Sequence, residues 1–149
     1  MKDNFEKCLL LLLSHEGGFV NHPKDPGGMT NLGVTKKVYD KWLGHDKNNY
    51  WDKVRGDDLP SGLDWCAFDW AVNSGSGRPA KAIQKAVGAT ADGAIGPMTL
   101  QAVADKDPKN IIESVYHTRQ KFYEGLKTFE TFGRGWTRRN KETLEQALE

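Results

Sequence analysis

Phe5-Glu6-Lys7-Cys8-Leu9-Leu10-Leu11-Leu12-Leu13-Ser14-His15-Glu16-Gly17-Gly18 is the stretch on which the fold turns. Phe5, Cys8, Leu9, Leu12 and Leu13 recur at helical spacing, and Leu10 and Leu11 widen the apolar stripe. The pattern predicts a well-buried helix. Glu16 follows Leu12 and Leu13 by four and three residues, so it continues the inward face. Gly17-Gly18 then stops the helix, because glycine readily takes the left-handed conformation of a C-cap. A carboxyl group is thereby expected at the inner lip of a helix C-terminus. Apolar neighbours and the negative end of the helix dipole both disfavour its ionised form there. A carboxyl kept protonated near neutral pH is suited to general acid work.

A second carboxylate follows. His22-Pro23-Lys24-Asp25-Pro26-Gly27-Gly28 is turn chemistry, and Met29-Thr30-Asn31-Leu32-Gly33-Val34-Thr35 reads as a short extended segment ending at a helix N-cap. Asp25, in a polar turn, is expected to stay ionised. Two carboxyls with pKa values pushed apart point to glycosidic bond cleavage. Glu16 is then the acid, and Asp25 positions water or stabilises positive charge on the sugar. On spacing alone, the same two residues serve equally well as a capping group and a turn residue.

Outward from this centre, Thr35 opens a short amphipathic helix carrying Val38, Tyr39, Trp42 and Leu43, closed by Gly44. Tyr50-Trp51 either lines a groove or packs the hinge. Asp57-Asp58-Leu59-Pro60-Ser61-Gly62 turns into a second apolar helix. Leu63, Ala67, Trp70 and Ala71 form one of its faces and Trp65, Phe68 and Val72 another, which marks it as central to a core. Asp64 and Asp69 are expected on its polar edge or as caps of a neighbouring helix. Asn73-Ser74-Gly75-Ser76-Gly77 ends it and marks a boundary between two lobes, 1–75 and 76–149.

The second lobe reads as helical. Pro79 starts a helix with Ala82, Ile83, Ala86 and Val87, closed by Gly88. Asp92-Gly93 is a turn, and Gly96-Pro97 starts a helix with Leu100 and Val103 inward. Asp107-Pro108 caps a long helix whose stripe is Ile111, Ile112, Val115, Tyr116, Arg119, Phe122, Tyr123 and Leu126. Residues 128–135 read as a loop containing Phe129 and Phe132. A last helix follows Trp136, with Arg138, Arg139 and Lys141 exposed. Arg134, Arg138 and Arg139 either touch an anionic polymer or solvate this helix.

Several function classes drop out. With 149 residues the chain can bury a proper core, as one compact domain or two small lobes. A net charge of +1 makes no case for nucleic acid. Five Trp, four Tyr and six Phe suit a groove that stacks on sugar rings, although most of them are expected in the core. The apolar run before Glu16 is too short to span a bilayer, and no membrane insertion or signal peptide is expected. The protein is accordingly expected to be made in the cytoplasm; a monomer is also expected. Cys8 and Cys66 sit in apolar helical contexts and read as buried free thiols. His15-Glu16 is no zinc motif, since position 19 is Phe, and His22 with Asp25 lacks a third ligand. Neither glycine-rich stretch lies between a strand and a phosphate-binding helix. No nucleophile elbow and no cysteine with a base occur. No metal or organic cofactor is expected.

The ordered motifs resemble a known family. Glu16-Gly17-Gly18, Asp25-Pro26-Gly27-Gly28, Thr30 and Gly33-Val34-Thr35 are similar to the signature of the glycoside hydrolase family 108 lysozymes, which are bacterial and phage N-acetylmuramidases. The likeness runs on through Tyr50-Trp51-Asp52, Arg55-Gly56-Asp57-Asp58-Leu59-Pro60 and Phe68-Asp69-Trp70-Ala71-Val72-Asn73-Ser74-Gly75. It resumes in Asp92-Gly93-Ala94-Ile95-Gly96-Pro97-Met98-Thr99-Leu100, which resembles a peptidoglycan-binding repeat, and in Gly135-Trp136. The resemblance implies a mainly α, lysozyme-like fold with a small β-hairpin near residues 20–35. It also implies hydrolysis of the bond between N-acetylmuramic acid and N-acetylglucosamine in peptidoglycan, by a protein that acts on the cell wall or in the periplasm after release. Glu16 is then the acid, Asp25 with Thr30 or Thr35 holds the attacking water, and Thr35, Tyr50 and Asn73 contact the glycan. A non-catalytic peptidoglycan-binding protein and a glucosaminidase or chitinase-like enzyme are the alternatives.

Overall fold

Helix α1 (Phe5–His15) turns Phe5, Cys8, Leu9, Leu12 and Leu13 into the core, with Leu9 and Leu12 wholly sequestered. This is the face that the leucine spacing predicts. The structure is a computed structural model and describes residues 4–15 and 36–149. Helix α2 (Lys36–Asp46) continues through Gly44, where the sequence reading closed it, and passes into a π-helical turn at Lys47–Trp51. The gain is the burial of Trp51, whose ring meets Phe5 at 5.3 Å and Phe68 at 5.5 Å, edge-on in both cases. A 3-10 turn (Gly56–Asp58) follows, and Asp57 accepts a 2.9 Å hydrogen bond from the Trp51 indole.

The centre of the fold is α3 (Leu63–Ser74), buried without interruption from Leu63 to Ala71. Helices α1, α4 (Gly77–Val87), α6 (Pro108–Glu124) and α7 (Phe129–Leu148) all pack against it, and α5 (Pro97–Ala104) leans on α4. Burial of one large apolar side chain is worth about 1.5–3 kcal/mol, so the Leu63–Ala71 segment alone commits both halves of the chain to one core. Gly62, at the start of α3, has a φ of 95°, and a Cβ there would collide with the Ala147 carbonyl oxygen of α7. Glycine thus supplies both the backbone angle and the clearance that let the end of α7 seat on α3.

Four expectations need correction. Asp64 and Asp69 are not on a polar edge; both are fully buried. Asp64 ties down the start of its own helix, accepting from the Gly62 and Trp65 amides at 2.9 and 2.7 Å and from the Asn4 side chain at 3.0 Å. Arg139 is not free in solvent but is bound to Asp69. Residues 129–135 are helical rather than a loop, because the glycine at 133 leaves room for the Phe129 ring one turn earlier. The long stripe ends at Tyr123, and Leu126 lies past the end of α6, exposed. No strand occurs among the described residues, and the hairpin expected near residues 20–35 lies outside them.

The helix α3 draws its partners from beyond residue 76, which bears on whether the halves are separable. A fragment of residues 1–76 would lose α4, α6 and α7 and leave Trp70, Ala71 and Asp69 uncovered. It is expected to be insoluble or molten and without lytic activity. A fragment that melts cooperatively and clears a cell-wall suspension would show the first lobe to be self-sufficient.

Candidate functional site

Glu16, Asp25, Thr30 and Thr35 lie outside the described residues. What the structure fixes is the carrier of the first: α1, pinned by five buried side chains, is described as far as His15, the residue before Glu16. Tyr50 and Asn73 are both described, and they fall in different surroundings. The Tyr50 ring, half-buried, stands 5.9 Å from His45, edge-on. His45 in turn meets Trp42 at 5.2 Å and bonds Asp46 at 2.9 Å. Burial pushes the Asp46 carboxyl up, opposed by its bond to His45. Among the described residues no hydrogen bond or ring contact joins Tyr50 to Asn73.

Asn73, exposed at the last turn of α3, sits at the outer end of a buried polar chain. Asp69 holds the Arg119 guanidinium at 2.8 Å and the Arg139 guanidinium at 2.7 Å, and it accepts from the Thr143 hydroxyl at 3.2 Å. Arg119 Nε donates to the Tyr123 hydroxyl at 2.8 Å, and that hydroxyl donates to Asn73 Oδ1 at 2.9 Å. Ser74 Oγ donates to the same Oδ1 at 2.9 Å. With its oxygen engaged twice, the Asn73 amide is oriented and its Nδ2 points a donor away from the network. Such a donor suits a sugar hydroxyl or an acetamido carbonyl.

The electrostatics of the chain are those of a locked structural pair. Burial alone would push the Asp69 carboxyl up, but Arg119 and Arg139, by charge and hydrogen bonds, outweigh it and hold the carboxyl at about 2. Burial likewise raises Tyr123, opposed by Arg119, so the phenol keeps its proton. Arg119 Nη2 is buried without a hydrogen-bond partner among the described residues, so Asp69 is the anion and Tyr123 the only neutral partner that this guanidinium has among them.

Sequence reasoning missed this network, although a signal was available. An arginine within an apolar stripe, between Val115 and Tyr123, demands a buried anion, and Asp69 lies between Phe68 and Trp70 on a helix apolar all round. Elsewhere the chemistry is quiet. Cys8 and Cys66 are buried free thiols, and burial pushes Cys66 up to about 12, which removes it as a nucleophile. No cluster of three or more metal-ligating side chains gathers among the described residues. No helix among them is long and apolar enough to cross a membrane.

The segment resembling a peptidoglycan-binding repeat turns many of its polar groups inward. Gln84, almost fully buried, donates to Asp92 Oδ1 at 2.8 Å, to the Ala94 carbonyl at 3.1 Å and to Thr99 Oγ1 at 3.2 Å. It accepts from the Gly93 amide at 2.9 Å, and Asp92 accepts from the Ala94 amide at 3.0 Å. These bonds, that of Ala94 before all, hold Asp92 below the usual carboxylate range. An open cavity of about 530 Å³ lies beside the segment, lined by Thr90, Pro97, Met98 and Ala102 among others.

Comparison with known proteins agrees with this organisation. Residues 9–49 and 46–75 match the family described as Glycosyl hydrolase 108, and residues 78–141 match the Predicted Peptidoglycan domain. A solved structure, that of Brucella abortus SagA, is similar at a TM-score of 0.79 and 40% identity, covering 99% of this chain and 95% of that one. No functionally curated protein matches. Most of α1, the π-helical turn and α3 therefore fall in the hydrolase match, Arg119, Tyr123 and Arg139 in the peptidoglycan match, and the chain belongs to the glycosyl hydrolase 108 family as a peptidoglycan-related glycosidase.

Proposed function

We propose that the protein is an N-acetylmuramidase, cleaving peptidoglycan between N-acetylmuramic acid and N-acetylglucosamine at the cell wall. The buried α1 supports this reading: its leucines pack into the core, and its last described residue, His15, directly precedes Glu16, which the resemblance makes the acid. Glu16 protonates the leaving glycosidic oxygen. Asp25, with Thr30 or Thr35 as a hydrogen-bonding partner, holds the water that attacks the anomeric carbon. Residues 1–75 supply these groups and residues 76–149 complete the same unit. No cofactor enters these steps.

Mass spectrometry of digested sacculi tests the bond directly. New reducing ends carrying N-acetylmuramic acid are expected, and N-acetylglucosamine ends would make the enzyme a glucosaminidase. Proton NMR of the first-formed anomer is expected to show inversion, and initial release of the retained anomer would point to a covalent or substrate-assisted route. Asp25→Ala is expected to lose more activity than Asp25→Asn, since the amide still orients water. Equal activity of the two variants and wild type would remove Asp25 from the mechanism.

A further inference from the structure

We infer that the glycan strand is gripped by the face built from Asn73 of α3, Arg78 of α4, and Phe132 and Trp136 of α7, and not by the repeat-like segment at residues 92–99. The inference deepens the muramidase reading and rests on it for the substrate class.

The argument against residues 92–99 is one of satisfied groups. Asp92, the Gly93 and Ala94 amides, the Ala94 carbonyl and Thr99 are all engaged with Gln84 or with one another. A ligand that sought these groups would have to break bonds that close the loop onto α4. What the segment leaves exposed is Asp92 Oδ2 and the side of Met98, 86% exposed, an anion and a thioether with no ring for a sugar to stack on. The motif therefore builds the fold of this half.

The other face has the reverse character. Phe132 is 54% exposed, and its ring lies 5.7 Å from that of Trp136, tilted by 33°, one helical turn along α7. Trp136 meets Tyr123 at 5.3 Å, and Tyr123 leads through its hydroxyl to Asn73. Tyr123 also meets Phe122 at 5.7 Å, over which the Arg78 guanidinium rests at 4.2 Å. Tyr123 is itself buried, so what the face offers outward is the exposed Asn73, Arg78 and Phe132, bordered by the half-buried rings of Phe122 and Trp136. Pyranose rings present apolar C–H faces that stack on such rings. Their acetamido carbonyls accept from Asn73 Nδ2. Arg78 forms no ion pair with a carboxylate of the described residues, and it is placed for the lactyl or stem-peptide carboxylates that distinguish peptidoglycan from uncharged glycans.

Binding separates this assignment from the chemistry. The probes are purified sacculi and an N-acetylglucosamine hexamer, which has the rings and acetamido groups but no carboxylate. The protein is the full chain carrying Glu16→Gln to prevent turnover, with melting temperature as the check on folding. Phe132→Ala, at an exposed position, is expected to weaken both probes roughly tenfold. Arg78→Gln is expected to weaken sacculi by a similar factor and leave the hexamer unchanged, with Arg78→Lys restoring part of the loss. Met98→Ala is expected to change neither. Undiminished binding by Phe132→Ala and Arg78→Gln, or loss on Met98→Ala, would overturn the assignment. So would a change in sedimentation on Phe132→Ala with sacculus binding intact, which would make the face a contact between copies of the chain. The reducing-end analysis uses the Glu16 enzyme, so a failure of the muramidase reading leaves these binding results standing, and the converse holds.

Discussion

Glu16→Gln protein is expected to melt at the wild-type temperature and yet to clear a cell-wall suspension at least about a hundredfold more slowly. General acid–base catalysis contributes about a hundred- to ten-thousand-fold, and the amide has no proton to give a leaving alkoxide. Its shape is nearly that of the acid, so the helix before it, held by Leu9, Leu12 and Leu13, has no reason to move. Turbidity loss at matched protein concentration reads the effect, and a folded variant lysing at near wild-type rate would remove Glu16 from the chemistry.

Asp69→Ala is expected to produce the largest loss of stability, about 3–5 kcal/mol, since it strands the Arg119 guanidinium, whose side chain is 2% exposed, without its anion. For a chain of this length that amounts to a fall of about 10–20 °C in melting temperature. The pH dependence follows from the same pair. The folded carboxyl is held at about 2, below its ordinary 3.8, so its contribution is fully present above about 4. It is lost as pH falls through the folded value, because protons then bind the unfolded chain first. Melts recorded between pH 5 and pH 2 should therefore show a decline in wild type whose Asp69 component is missing from Asp69→Asn. Identical slopes in the two proteins would mean that the carboxyl is not held by its arginines.

Local patterns were legible in the sequence wherever one helix sufficed to explain them. The leucines of α1, the all-round apolar character of α3 and the caps Pro97 and Asp107-Pro108 each announce themselves within a dozen residues, and the helices follow. What depended on distant partners was not. Asp69 meets its arginines 50 and 70 positions away, and no window of sequence displays that. Gly133 and Gly135 read as loop residues because glycine costs a helix about 1 kcal/mol each, but packing of Phe129 against position 133 and of Trp136 against Tyr123 more than offsets it. Of the candidate site, Asn73 stands out in the sequence by its place in a motif, while the physical reason for its orientation, the Tyr123 hydroxyl, comes from another part of the chain.

The buried carboxylate also sets an order of events during synthesis. Asp69 leaves the ribosome 70 residues ahead of Arg139, an interval of about 4–14 s at ordinary elongation rates. For the first 50 residues of it, until Arg119 is made, α3 carries an anion without its cations and an apolar surface without its cover. The nascent first half is thus held open, available to chaperones and proteases, until α6 and α7 arrive with their cations. A chain that stalls or is clipped in that window lacks the helices that cover α3.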